Sequence, residues 1–129
     1  MSVVGEVVEP ITATLGVPGL RYMADFIDFA AHDKLLATVD ALPWQHSLRR
    51  RVQHYGYTYD YDARTVRYLG PLPPWAFALA CRLRESITPW TADQLIVNEY
   101  EPGQGIGPHV DRPCFADVIV SLSLGSTCV

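Results

Sequence analysis

From Ala31 to Leu42 the apolar residues Leu35, Leu36, Val39 and Leu42 fall at i, i+1, i+4 and i+7, one face of a helix. Pro43 ends that helix, because it brings no N–H and its ring clashes with the preceding turn. The period then changes. Between His54 and Tyr61 every second residue is a tyrosine (Tyr55, Tyr57, Tyr59, Tyr61), which predicts one strand with its rings on one face. Asp62-Ala63-Arg64 reads as a turn and Val66 to Leu69 as the returning strand. Pro71 to Pro74 is a stiff connector. Pro74 suits the first turn of a second helix, Trp75 to about Ile87, with Phe77, Ala80, Leu83 and Ile87 along one side and Pro89 as its stop. From Gln94 the character is β: a strand Gln94 to Tyr100, a glycine-rich loop Glu101 to Pro108, and an apolar strand Val118 to Leu124. Residues 1–20 read as extended. Helices first and strands after predict an α+β fold, a sheet with helices on one face.

Composition narrows the class. At 129 residues the chain is long enough for one domain and too short for two of ordinary size. Hydrophobic residues at 49% and charged residues at 19% exclude a disordered chain. The net charge of −4 excludes binding of nucleic acid by bulk charge. It hides a local reversal: from Trp44 to Leu69 five arginines stand against two aspartates. No apolar run is long enough for a transmembrane helix, so no membrane partner is expected. The first residues lack the positive start of a secretory signal. Cys81, Cys114 and Cys128 are odd in number and have no C-x-x-C spacing, so they read as free thiols in a reducing compartment, the cytoplasm by default.

The chemistry concentrates in Asn98-Glu99-Tyr100-Glu101-Pro102-Gly103-Gln104-Gly105-Ile106-Gly107-Pro108-His109-Val110-Asp111. On an extended backbone His109 and Asp111 point to the same side. A neutral imidazole and a carboxylate can grip one divalent ion, and a third ligand from elsewhere completes a facial triad with positions open for O2. Asn98 and Tyr100 share a strand face and offer an amide and a phenol to a small acid beside that metal. On spacing alone the other reading stays open, that H-x-D and N-x-Y are chance pairs on the surface. The tyrosines and arginines carry the same choice. The rings can stack on bases, or they can pack against a helix with their hydroxyls reaching water. Arg49, Arg50 and Arg51 can meet phosphates, but successive residues of an extended segment face opposite ways, so the three cannot follow one phosphate track together.

Taken jointly, Asn98-x-Tyr100, the glycine loop, His109-x-Asp111 and Asp117-Val118-Ile119-Val120-Ser121-Leu122-Ser123-Leu124-Gly125 resemble the AlkB family of iron(II)- and 2-oxoglutarate-dependent dioxygenases. Upstream, Pro18-Gly19-Leu20-Arg21-Tyr22 with Phe26-Ile27, Arg50-Arg51-Val52-Gln53-His54-Tyr55-Gly56-Tyr57 and Leu72-Pro73-Pro74-Trp75 extend the resemblance over about Gly16 to Val129. It implies a double-stranded β-helix (jelly-roll) core. Residues 1–129 would be a single, incomplete dioxygenase domain, with 16–93 an extension of helices and lid strands and 94–129 the first part of the core. It implies iron(II) on His109 and Asp111, 2-oxoglutarate on Asn98 and Tyr100, and O2 as oxidant. Arg50, Arg51, Tyr55 and Tyr57 would contact the substrate, an alkylated base of DNA or RNA extruded from its stack. Oxidation of the alkyl group would release it as formaldehyde or leave it hydroxylated, which is DNA repair or RNA modification. The family pattern continues with a second metal histidine and an arginine pair that holds 2-oxoglutarate. These would come from a C-terminal continuation or a partner chain. The alternative is a non-catalytic remnant, a nucleic-acid- or protein-binding module that has lost the third iron ligand.

Overall fold

The computed structural model describes residues 16–126, and these divide into two compact units, 16–41 with 123–126 and 42–122. Residues 1–15 of the expected extended stretch, and Cys128, lie outside the described residues. Val17 to Leu20 turn rather than extend: the Leu20 N–H donates to the Val17 carbonyl at 3.2 Å.

In the first unit helix α1 runs Phe29–Asp40. It starts earlier than the apolar period predicts because Asp28 caps it, its carboxylate accepting from the Ala31 N–H at 2.8 Å. Val39 is buried and Leu35 and Leu36 are half-buried, so the predicted face is the inward one. The Gly125 N–H donates to His32 Nε2 at 3.0 Å.

The second unit holds β1 (Val52–Tyr55), β2 (Tyr57–Asp60), β3 (Thr65–Tyr68), α2 (Pro74–Ser86) and β4 (Leu95–Asn98). β1 pairs antiparallel with β4, and β2 with β3. The expected strand from His54 to Tyr61 is therefore two strands. Gly56 separates them at φ +77, where its carbonyl accepts from the Leu69 N–H at 2.7 Å. The tyrosines consequently do not share one face. Tyr55 donates its hydroxyl to Gln53 Oε1 at 2.7 Å and meets Trp75 edge-on with ring centres 5.5 Å apart. Tyr57 lies against its register partner Tyr68, ring centres 5.0 Å apart. The turn falls where expected, with the Asp60 carboxylate accepting from the N–H groups of Asp62 and Ala63.

Helix α2 begins at Pro74 as predicted, but its buried residues are Ala76 and Ala80, and Phe77 faces outward. Val52 and Gln53, each 2% exposed, are the most buried side chains of β1. Backbone bonds to Gln45 on one side and β4 on the other enclose that strand.

The expected strand Val118 to Leu124 joins no ladder among the described residues, and Val118, Ile119 and Val120 are 46%, 69% and 40% exposed. Apolar alternation sets which face a strand buries, but a strand exists only where a second backbone accepts and donates its hydrogen bonds. The described residues thus form a mixed helix-and-sheet fold of few strands, without the jelly roll that the resemblance implies. Among them no helix is long and apolar enough to cross a membrane.

His54 lies opposite Ile96 in the β1–β4 register, and its Nδ1 is buried without a hydrogen-bond partner. Burial pushes its pKa below the ordinary 6.5. The unfolded chain then binds the proton first, so stability falls as pH drops below 6.5 and levels off once the folded form is protonated too. We expect the urea midpoint to fall between about pH 7 and pH 5, and His54→Gln to flatten that slope. An equally steep slope in the variant would assign it to other groups.

Candidate functional site

In an antiparallel pair, residues opposite one another share a face. Val52 lies opposite Asn98, and the pairing runs on past the strand end, where the Glu99 N–H donates to the Arg51 carbonyl at 3.1 Å. Alternation then sends Arg50 and Arg51 to different faces. Arg50 joins Asn98 and Tyr100: its Nε donates to Asn98 Oδ1 at 3.0 Å, and its guanidinium carbon lies 5.9 Å from the Tyr100 ring centre. A guanidinium only donates, so the Asn98 oxygen is turned to Arg50 and its NH2 is left to donate elsewhere. Arg51 instead makes a bidentate pair with Glu99, at 2.7 and 2.8 Å, and lies 4.3 Å from the Trp44 ring centre.

The glycine loop is pinned by Gln104, whose Oε1 accepts from the Glu101 N–H and whose Nε2 donates to the Arg49 carbonyl, each at 3.0 Å. Beside it His46, Arg49, Arg51, Glu99, Glu101 and Gln104 line a cleft of about 340 Å³. Neither His109 nor Asp111 lines that cleft.

His109 and Asp111 converge. His109 Nδ1 lies 2.8 Å from the Gly107 carbonyl, an acceptor only, so Nδ1 carries a hydrogen and, in the neutral ring that a metal needs, the lone pair is on Nε2. That Nε2 faces Asp111 Oδ1 at 3.5 Å, with the two side chains 53% and 46% exposed. An imidazole lone pair and a carboxylate oxygen at this distance suit a shared cation, and a carbonyl behind the imidazole is the usual way of fixing a metal-binding tautomer. The donor set fits a divalent metal as two ligands. Among the described residues no group of three His, Cys, Asp or Glu gathers to hold one. Cys114 is exposed and unbridged.

The next residue, Arg112, places its guanidinium 4.9 Å from the Tyr59 ring centre and 5.2 Å from that of Tyr61. The sequence reading passed over Arg112 and Gln104. Neither sits in a periodic position, and what each does depends on a segment far along the chain.

The sequence pattern of the 2OG-Fe(II) oxygenase superfamily matches residues 37–129, which include every residue of this site. The chain is an AlkB-like member of that superfamily. An Arabidopsis thaliana protein named "Alkylated DNA repair protein ALKBH8 homolog" is 40% identical over 129 residues, covering 92% of this chain and 37% of the relative. The Xenopus tropicalis "tRNA (carboxymethyluridine(34)-5-O)-methyltransferase alkbh8" is 39% identical over 125 residues, 87% of this chain and 19% of its own length. The Danio rerio "Probable RNA/DNA demethylase ALKBH6" is 30% identical over 114 residues, 84% of this chain and 47% of its own. The chain therefore spans less than half of each of these relatives. No solved structure matches it.

Proposed function

We propose that this oxygenase chain carries part of an iron(II) site and acts on alkylated bases of DNA or RNA. The observation that carries the reading is the pair His109 Nε2 and Asp111 Oδ1, 3.5 Å apart with the imidazole tautomer fixed by Gly107, inside the segment that the superfamily pattern matches. The relatives whose names mention DNA repair, tRNA and RNA/DNA demethylation supply the substrate class. His109 and Asp111 hold the metal, and a third ligand comes from outside the described residues or from a second chain. When bound, iron(II) with 2-oxoglutarate and O2 supplies oxidation of a C–H bond, the co-substrate ending as succinate and CO2.

The chain's own groups do the positioning. Asn98 offers its NH2, and Tyr100 its hydroxyl, to the carboxylates of 2-oxoglutarate. Arg50 fixes the Asn98 amide and adds positive charge on that face. The substrate contacts expected from sequence, Arg50, Arg51, Tyr55 and Tyr57, each have a neighbour in the fold: Arg50 has Asn98, and Tyr57 has Tyr68. Arg51 is held by Glu99 and Trp44, and Tyr55 by Gln53 and Trp75. A base turned out of its stack would bring its alkyl group to the face that carries His109 and Asp111. A methyl group hydroxylated on a base nitrogen would be a hemiaminal and would leave as formaldehyde with the proton returned to that nitrogen; on a carbon not bonded to nitrogen the hydroxyl would stay.

The test is turnover. The chain is incubated with iron(II), 2-oxoglutarate, air and short methylated RNA or DNA strands, and succinate and the mass of the strand are followed. Succinate that depends on the strand, with loss of methyl or gain of one oxygen, is the expected result. Iron bound but every strand unchanged would end the substrate assignment. A strand bound with no succinate formed is the behaviour of the non-catalytic binding module.

A further inference from the structure

We infer that Arg112 anchors the segment bearing His109 and Asp111 to the β2–β3 hairpin and so keeps that pair at its spacing, an inference that rests on the cation reading of the pair. The Tyr59 and Tyr61 rings stand edge to face, centres 4.9 Å apart at 77°. The Arg112 guanidinium occupies the corner between them, 4.9 and 5.2 Å from the two centres. A guanidinium is flat, always charged and weakly hydrated, and each ring attracts it. One such contact at a surface is weak, but two converging on one group fix where it lies.

The segment has little else to hold it there. Between 105 and 122 the described residues join no ladder. The bonds from His109 to the Gly107 carbonyl and from the Phe115 N–H to the Arg112 carbonyl, at 2.8 and 3.0 Å, are local. The hairpin, by contrast, is firm, with four register pairs and an Asp60-capped turn. The bracket also has an electrostatic consequence. A guanidinium one residue from Asp111 is a natural partner for its carboxylate. Held on the rings, it leaves that carboxylate to face His109 at 3.5 Å. Released, it competes with any cation for Asp111.

Two measurements test this, hydrogen exchange of the metal-free chain and Mn(II) binding followed by electron paramagnetic resonance. Arg112→Ala should speed exchange of the Phe115 amide, which donates to the Arg112 carbonyl, and weaken Mn(II) binding, each by about three- to tenfold. Arg112→Lys, which keeps the cation, should restore much of both. Tyr59→Leu should reproduce the losses with Arg112 still present, and circular dichroism checks that each variant folds. Exchange and affinity unchanged in Arg112→Ala would overturn the inference, as would a lysine variant no better than alanine. Should the unaltered chain hold no Mn(II), the cation reading of His109 and Asp111 falls, and exchange in the metal-free chain decides for Arg112 on its own.

Discussion

Asp111→Ala is expected to lower iron(II) affinity by about a hundredfold or more. Loss of an outer-shell partner alone typically costs ten- to a hundredfold, and Asp111 is proposed as a direct ligand. It would also be the anion of the pair. Removing it leaves one neutral nitrogen, and a single uncharged, monodentate ligand holds a divalent ion weakly even where imidazole suits the metal. The substitution is clean because Asp111 is about half exposed and its carboxylate faces the His109 imidazole, at 3.5 Å, rather than the hydrogen-bonded frame of the sheets. Thermal stability of the metal-free chain should therefore stay within about 0.5 kcal/mol of the unaltered value, as for surface substitutions generally. Anaerobic iron(II) titration checks the affinity. His109→Ala should lose binding as well, and Asp111→Glu should keep part of it. Equal affinity in the unaltered chain and Asp111→Ala would place any bound iron elsewhere and remove the basis for the oxygenase site.

The parts of this arrangement that were legible beforehand are those set by local chemistry. The period of Leu35, Leu36 and Val39 located α1, and Pro74 located the start of α2. The i, i+2 spacing of His109 and Asp111 did bring the two side chains together. What was missed depends on partners far along the chain. The tyrosine alternation ran through Gly56 because period alone cannot say where a backbone breaks. Val118 to Leu124 has the pattern of a strand, yet pairing is a property of two segments. The division of Arg50 from Arg51 followed from alternation, but that Arg50 would take Asn98 and Arg51 would take Glu99 required the β1–β4 register.

Gly56→Ala is expected to be the most damaging small substitution in the chain, costing about 3 kcal/mol or more of stability. Two effects add. At φ +77 an L-residue is strained by about 1–2 kcal/mol. A Cβ at Gly56 would also collide with the Asp93 carbonyl oxygen and lie 3.2 Å from Leu72 Cδ2. The carbonyl cannot step aside cheaply. Asp93 leads directly into β4, Tyr55 is paired with Leu95, and the Gly56 carbonyl is bonded to Leu69 at 2.7 Å. Relief therefore moves β1 against β4, which also shifts Asn98 on the proposed 2-oxoglutarate face. Gly103 supplies the control: it sits at φ +87 with nothing within 4 Å of a built Cβ. Gly103→Ala should show the strain alone, about 1–2 kcal/mol. Urea unfolding of the two variants separates the effects. Equal losses would mean that the approach of Asp93 to Gly56 contributes nothing, and that the joint between the two sheets is looser than its hydrogen bonds suggest.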